Sequence, residues 1–194
     1  MAATSTTPKV TFNPRIATPE DILDIRLLIE ASVRTLHISY YTPVQITAAL
    51  KSVYGVDTTL ILDKHYFVIE NPNSDHTQDS RLIACGGWSN RNTLYGGDQY
   101  SSRDDNLLSP AEGDAAKIRA FFVHPDWARR GLGRLVLDAC ENAAREAGFR
   151  EAEMGATLSG VPFYRKMGYI EFGRNDAVLE EGVILEVAKM KKDL

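Results

Sequence analysis

The turn Arg129-Arg130-Gly131-Leu132-Gly133-Arg134 has the residue types and spacing best suited to chemistry. Its two glycines open a segment with helical periodicity, so the backbone there can come close to a ligand. A helix start also presents unpaired N–H groups and a partial positive charge, which together suit an anion. Arg129, Arg130 and Arg134 add charge-assisted donors for phosphate oxygens, and the combination reads as a pyrophosphate cradle. On its own the Gly-x-Gly spacing is weak, since a helix can begin with glycines for packing alone. Two nucleotide motifs fail: a dinucleotide fingerprint needs a small residue where Val136 stands, and a P-loop needs a Gly-Lys-Ser/Thr that the chain lacks.

The elements that must position this turn can be read from periodicity. Ala115 to Val123 is rich in β-formers and stops at His124-Pro125, which makes it the central strand. After the turn, Leu132, Leu135, Val136, Ala139, Cys140, Ala143 and Ala147 form a helical stripe that ends at Gly148. Upstream, Thr18-Pro19-Glu20-Asp21 reads as a helix start, and Ile22, Ile25, Ile29, Val33 and Leu36 give one buried face to a helix over Pro19 to His37. A second helix is expected over Pro43 to Val53, with antiparallel strands over Tyr66 to Glu70 and Arg81 to Trp88. Downstream come strands at Glu151 to Ala156, Tyr169 to Phe172 and Val183 to Met190, and a short helix over Val161 to Met167 closed by Gly168. This order predicts an α/β fold built on a mixed, twisted sheet of about six to seven strands flanked by about four helices.

Residues 89–114 break the rhythm with Gly96-Gly97, Pro110 and many Asp, Asn and Ser residues, a long insertion expected to act as a mobile cover. The rest, residues 10–194, forms a single domain, and residues 1–9 form a frayed polar tail. At 194 residues, with 44% hydrophobic and 25% charged residues, the chain can bury one core. A net charge of −4 gives no overall footprint for nucleic acid. No stretch approaches the roughly 18 apolar residues of a membrane span, and the start of the chain lacks a signal-peptide core. Cys85 and Cys140, without metal-ligand spacing, read as buried free thiols. These features predict a cytoplasmic protein, monomer or homodimer, with no metal, membrane or nucleic-acid partner.

The string Ile118-Arg119-Ala120-Phe121-Phe122-Val123-His124-Pro125-Asp126-Trp127-Ala128-Arg129-Arg130-Gly131-Leu132-Gly133-Arg134 resembles the signature of the GCN5-related N-acetyltransferase (GNAT) superfamily, Gln/Arg-x-x-Gly-x-Gly/Ala after a V-x-P strand end. Ala128 replaces the first residue of that pattern. A second block, Pro162-Phe163-Tyr164-Arg165-Lys166-Met167-Gly168-Tyr169, is similar to the family's F-Y-x-x-x-G-F/Y. The resemblance extends over roughly Pro14 to Met190 and implies acetyl-CoA as acyl donor, attacked directly by an amine through a tetrahedral oxyanion. It implies that Arg129 to Arg134 hold the pyrophosphate mainly through backbone amides. It also places a central-strand bulge at Phe122 and Val123, with a backbone N–H directed at the thioester oxygen. Thr157 stands where the family often has a cofactor-contacting Asn, and Tyr164 matches the tyrosine beside the sulfur. A phenol of pKa about 10 can protonate a departing thiolate.

The general base is not evident. Where many relatives carry a Glu on the central strand, this chain has Lys117-Ile118-Arg119-Ala120. Glu70, Glu112, Asp114, His37 and His124 could in principle serve, though solvated or capping roles suit each of them better. Strand alternation puts Lys117 and Arg119 on one face, and if either faces the acceptor pocket it would favour an acceptor with a carboxylate, such as an amino acid, over a polyamine. Tyr40, Tyr41, Trp88 and Tyr95 are candidates to line the acceptor side or equally to pack the core. The expected activity is therefore acetyl transfer to a primary amine of a small molecule. The alternatives are a non-catalytic acyl-CoA sensor, which release of free thiol with a panel of amines would separate, and a protein lysine or N-terminal acetyltransferase, which would need an open groove where residues 89–114 look more like a cover.

Overall fold

The computed structural model describes residues 11–74, 81–179 and 182–194, so the N-terminal tail expected over residues 1–9 lies outside the described residues. Seven strands form one sheet: β1 (Arg15–Ile16), β2 (Tyr66–Glu70), β3 (Leu82–Ser89), β4 (Ala116–Val123), β5 (Glu151–Thr157), β6 (Ile170–Val178) and β7 (Ile184–Asp193). Their spatial order is β1-β2-β3-β4-β5-β7-β6, and β4 with β5 is the parallel pair in an otherwise antiparallel sheet. Helices α1 (Ile22–Leu36), α2 (Pro43–Ser52), α3 (Thr58–Leu62), α4 (Leu132–Glu146) and α5 (Val161–Lys166) complete the mixed α/β architecture.

The two faces of the sheet bury separate cores. On one face, Ile25, Leu28, Ile29 and Val33 of α1 pack with Ile46 and Ala49 of α2, Leu60 of α3 and Val68 of β2. On the other, Leu132, Val136, Leu137, Cys140 and Ala144 of α4 pack on Ile83, Ile118, Ala152 and Met154. The stripe read from the sequence is rotated by a fraction of a turn: Leu137 is inside, and Leu135 is 37% exposed. Helix α1 enters through a 3-10 turn at Pro19–Asp21, where the buried Asp21 carboxylate accepts the Thr18 backbone N–H at 2.8 Å. Cys85 and Cys140 are free and buried.

Three features depart from the expectations. The two-residue β1 and five-residue α3 are too short to leave a period in the sequence. Helices thus number five among the described residues instead of about four. Strand β6 continues well past Phe172 to Val178, through the polar run Arg174-Asn175-Asp176, because it pairs along β7 as far as Val178↔Ile184. Its largely exposed residues carry no apolar alternation to read.

Strands β4 and β5 pair only at Ala116↔Ala152 and Lys117↔Glu153. Beyond that they part, and the remainder of both strands borders a cavity of about 650 Å³ that runs from the N-terminus of α4 to the ends of α1 and α2. No helix among the described residues is long and apolar enough to cross a membrane.

Candidate active site

One end of the cavity is built from backbone. Arg129 and Gly131 both adopt left-handed conformations, φ 65° and 84°, which fold the chain into a tight loop before α4. From Arg129 to Gly133 no amide has a backbone hydrogen-bond partner among the described residues, and the ladder resumes with Arg134 N–H to Gly131 C=O at 3.1 Å. A Cβ on Gly131 would meet nothing within 4 Å, so the space in front of these amides is open. A Cβ on Gly133 would come within 3.4 Å of the Phe163 ring. A run of free amides at the start of a 15-residue helix, with Arg129 and Arg134 lining the cavity beside it, fits the pyrophosphate of a nucleotide thioester. Arg130 turns away: its guanidinium lies over the Trp127 ring at 4.7 Å and does not line the cavity.

The middle of the cavity lies where β4 is deformed. Between Cys85↔Phe122 and Gly87↔Arg119, β4 places two residues, Ala120 and Phe121, opposite Gly86 alone. Ala120 has φ 59°, and the Tyr66 hydroxyl donates to its carbonyl at 3.2 Å. Gly86 is required here, because a Cβ would lie 2.6 Å from the Phe121 ring. The bulge therefore sits just before the Phe122-Val123 pair where the resemblance placed it. Above it, His124 N–H bonds Ile83 C=O at 2.9 Å. By the alternation of an antiparallel ladder, Ala84↔Val123 is then a non-hydrogen-bonded pair, and the Val123 amide points to the opposite edge, where β5 has withdrawn. Phe122 faces β3 with its backbone and is largely buried, yet borders the cavity.

Across the gap stands Tyr164 of α5, 8% exposed, edge-on to Phe121, Phe163 and Tyr169 at 6.2, 5.0 and 5.8 Å. Its hydroxyl makes no hydrogen bond among the described residues and is not a sealed polar atom, so it opens on the cavity. Burial pushes the phenol's pKa well above its usual value, which keeps the proton on the oxygen. Thr157 also lines the cavity, with Oγ1 2.9 Å from Ser159 Oγ and 3.3 Å from the Gly160 amide.

The far end is built from side chains drawn from distant segments. Ser32, Leu36, His37 and Tyr40 come from α1 and its end, Val53 and Tyr54 from the end of α2, and Leu94 to Gly97 from the insertion. Leu94 to Gly97 of the insertion thus border this end of the cavity, and where a mobile cover was expected the segment is fastened. Arg119 donates to Thr93 C=O at 3.0 Å and Gly96 C=O at 2.6 Å, and pairs with the buried Asp57 carboxylate. Asp57 also meets Arg103 at 3.3 Å and caps α3 by accepting the Leu60 N–H.

Several sequence expectations change with this geometry. Lys117 and Arg119 do share a face, but Lys117 is 2.7 Å from Glu153 and away from the cavity, and the Arg119 guanidinium is bound to Asp57 and two carbonyls. Neither cation is free for an acceptor carboxylate. Tyr41 belongs to the core, where its hydroxyl donates to Glu186 C=O and accepts from Leu158 N–H, both at 2.8 Å. Trp88 is stacked on His65 at 4.0 Å on the α4 side of the sheet, outside the cavity. Tyr40 does reach the cavity, as a 47%-exposed residue at its rim. Among the carboxylates and histidines weighed as bases, Glu70 is bridged to Arg15, Asp114 accepts Ser109 N–H, and His124 accepts Asp126 N–H, while Glu112 lies exposed in a 3-10 turn. His37 alone of these lines the cavity. Tyr54, which sequence reasoning missed, follows a helix end with no pattern around it that distinguishes a wall residue from a core one.

Comparison with known proteins bears on the fold and on the family. The acetyltransferase (GNAT) domain family matches residues 105–194, the stretch that holds β4, the cradle, α4, β5 and α5. The crystal structure of a GCN5-related N-acetyltransferase from Rhodopseudomonas palustris superposes with a TM-score of 0.68 at 20% identity, over 98% of this chain and 100% of that one. PaiA N-acetyltransferase from Thermoplasma acidophilum, solved in complex with coenzyme A, gives 0.59 at 12% identity over 95% and 100% of the two chains. A phosphinothricin acetyltransferase from Sinorhizobium meliloti, solved in complex with AcCoA, gives 0.59 at 16% identity over 95% and 89%. These likenesses establish a common fold along nearly the whole chain. The GNAT acetyltransferase domain family thus matches the part of the chain that holds the cradle, and the fold of these acetyltransferases extends over nearly the whole chain.

Proposed function

We propose that this protein transfers an acetyl group from acetyl-CoA to a primary amine of a small molecule by direct attack. The observation that carries this reading is the run of unpartnered amides from Arg129 to Gly133, facing a cavity that continues through the β4–β5 gap past Tyr164. Acetyl-CoA supplies an acyl group activated as a thioester.

The chain's own residues then have distinct tasks. The amides of the cradle, Gly131, Leu132 and Gly133 among them, hold the pyrophosphate, with Arg129 and Arg134 adding charge at the rim. The Val123 N–H faces the gap and donates to the thioester oxygen as charge develops there, a contact worth more in a site that excludes water. Phe122 and Leu132 pack beneath these groups. Tyr164 holds a proton ready for the departing sulfur, and Thr157 borders the same space. The fastened cover at Leu94 to Gly97 leaves a cavity better suited to a small amine than to a peptide segment. Free thiols and the lack of a membrane-spanning helix among the described residues support a cytoplasmic setting.

Incubation with acetyl-CoA and a panel of amines, read as free thiol released, tests the proposal. Thiol release that depends on an added amine is the expected result. Acetyl-CoA binding without thiol release for any amine would make the protein a sensor.

A further inference from the structure

The acceptor end of the cavity contains a polar side chain that the fold leaves unused. His37, just past the end of α1, is 6% exposed, and its ring makes no hydrogen bond to any described residue. Nδ1 is sealed and unpartnered; Nε2 is not sealed, which leaves it as the ring nitrogen that opens on the cavity. The ring is wedged between Tyr41 and Tyr54, at 6.0 and 5.4 Å between centroids, and Tyr54 stands edge-on to Phe122 at 6.1 Å. His37 is thus linked through Tyr54 to Phe122 on the strand that borders the cavity. Burial holds its pKa down to about 4, so the ring is neutral at ordinary pH and its unprotonated nitrogen carries a free lone pair. A buried polar ring without a partner costs stability, and a partner that arrives with the substrate would account for it.

The charges around this end narrow what that substrate is. Among the described residues no Asp or Glu lines the cavity, so a second ammonium on the acceptor would find no counter-ion among them. Among the described residues the one cation at this end, Arg119, is already neutralised by Asp57. Leu36, Val53, Tyr54, Leu94 and Tyr95 supply most of the side-chain wall, with Ser32 and the rim residue Tyr40 beside them. We propose that this end receives a primary monoamine with an aromatic or aliphatic body, entering as the free base, and that His37 accepts a proton from its nitrogen. As the nitrogen–carbon bond forms and the carbon–sulfur bond breaks, the nitrogen's proton passes to His37 and then to water. The sulfur takes its proton from Tyr164, which regains one from water, so the products are the amide and a free thiol. This inference rests on the transferase reading above.

The test pairs an acceptor panel with one substitution. Acetyl-CoA binding is measured first by calorimetry, and thiol release is then followed with 2-phenylethylamine, spermidine and glutamate. The kcat/KM for 2-phenylethylamine is expected to exceed the other two by about 100-fold or more. His37→Phe fills the same buried space without the unpaired nitrogen. It should keep acetyl-CoA affinity and thermal stability at or above the parent's while kcat with 2-phenylethylamine falls by about 100-fold or more. Spermidine or glutamate used as well as 2-phenylethylamine would overturn the acceptor class, as would no transfer to 2-phenylethylamine by a protein that binds acetyl-CoA. A folded His37→Phe protein with the parent's kcat would overturn the role of His37. Failure to bind acetyl-CoA at all would instead bring down the transferase reading beneath both.

Discussion

The two ends of the cavity are made of different material. The proposed donor end is one continuous turn of unpartnered backbone amides, and its geometry follows from Gly131, Gly133 and a helix start. The acceptor end is assembled from side chains at the ends of α1 and α2 and from the insertion, held by the Asp57–Arg119 pair. A backbone site needs only local sequence to exist, whereas a side-chain site depends on packing among distant segments. Substitutions at the two ends should therefore separate donor binding from acceptor chemistry, with Tyr164 between them affecting neither binding step.

The largest effect is expected at that midpoint. Tyr164→Phe keeps the ring contacts with Phe121, Phe163 and Tyr169 and removes only the hydroxyl, so kcat should fall by about 100- to 10,000-fold while acetyl-CoA affinity holds. Steady-state kinetics at saturating amine, beside calorimetry of acetyl-CoA, would show it. An unchanged kcat with chemistry rate-limiting would return Tyr164 to a packing role.

Asp57→Ala leaves Arg119 buried without its carboxylate and unfastens Arg103, which should cost about 3–5 kcal/mol of stability. Denaturant unfolding measures the loss. In the fraction that remains folded, the KM for the amine should rise more than that for acetyl-CoA, because the pair anchors Thr93 and Gly96 of the cover.

At the donor end, Gly133→Val projects a branched side chain beside Phe163 at the start of α4. If it displaces even one charge-assisted hydrogen bond to phosphate, worth roughly 1.5–3 kcal/mol, acetyl-CoA affinity drops by about 10- to 150-fold. Acceptor discrimination should not move. The smallest effect belongs to Arg130→Ala. Its guanidinium rests on Trp127 outside the cavity, so affinity should change by less than about fivefold, and any change should shrink with added salt.

How much of this was legible in the sequence follows the same division. The cradle, the central strand and α4 were readable because glycine spacing, a proline stop and a 3.6-residue period are local signals. Tyr164 was found through its neighbours Phe163 and Gly168 in a motif. The acceptor end was readable only in part: Tyr40, Tyr95 and His37, named from the sequence, do line the cavity. Alternation placed Lys117 and Arg119 on one face correctly, but nothing near them announces Glu153 and Asp57, their partners from other elements. Tyr41 and Trp88 have the composition of pocket walls and are core. Tyr54 looks like core and is a wall, because exposure to an internal cavity leaves no periodic trace in the chain.

The central claim is that free backbone amides at Arg129 to Gly133 are the donor site. Residue-resolved amide hydrogen exchange, with and without acetyl-CoA, addresses those groups directly. Exchange should slow at Arg129 to Gly133 and at Val123, with little change around His37 and Tyr54 until an amine is added. Unchanged exchange across Arg129 to Gly133, in a protein that calorimetry shows to be saturated with acetyl-CoA, would contradict the account.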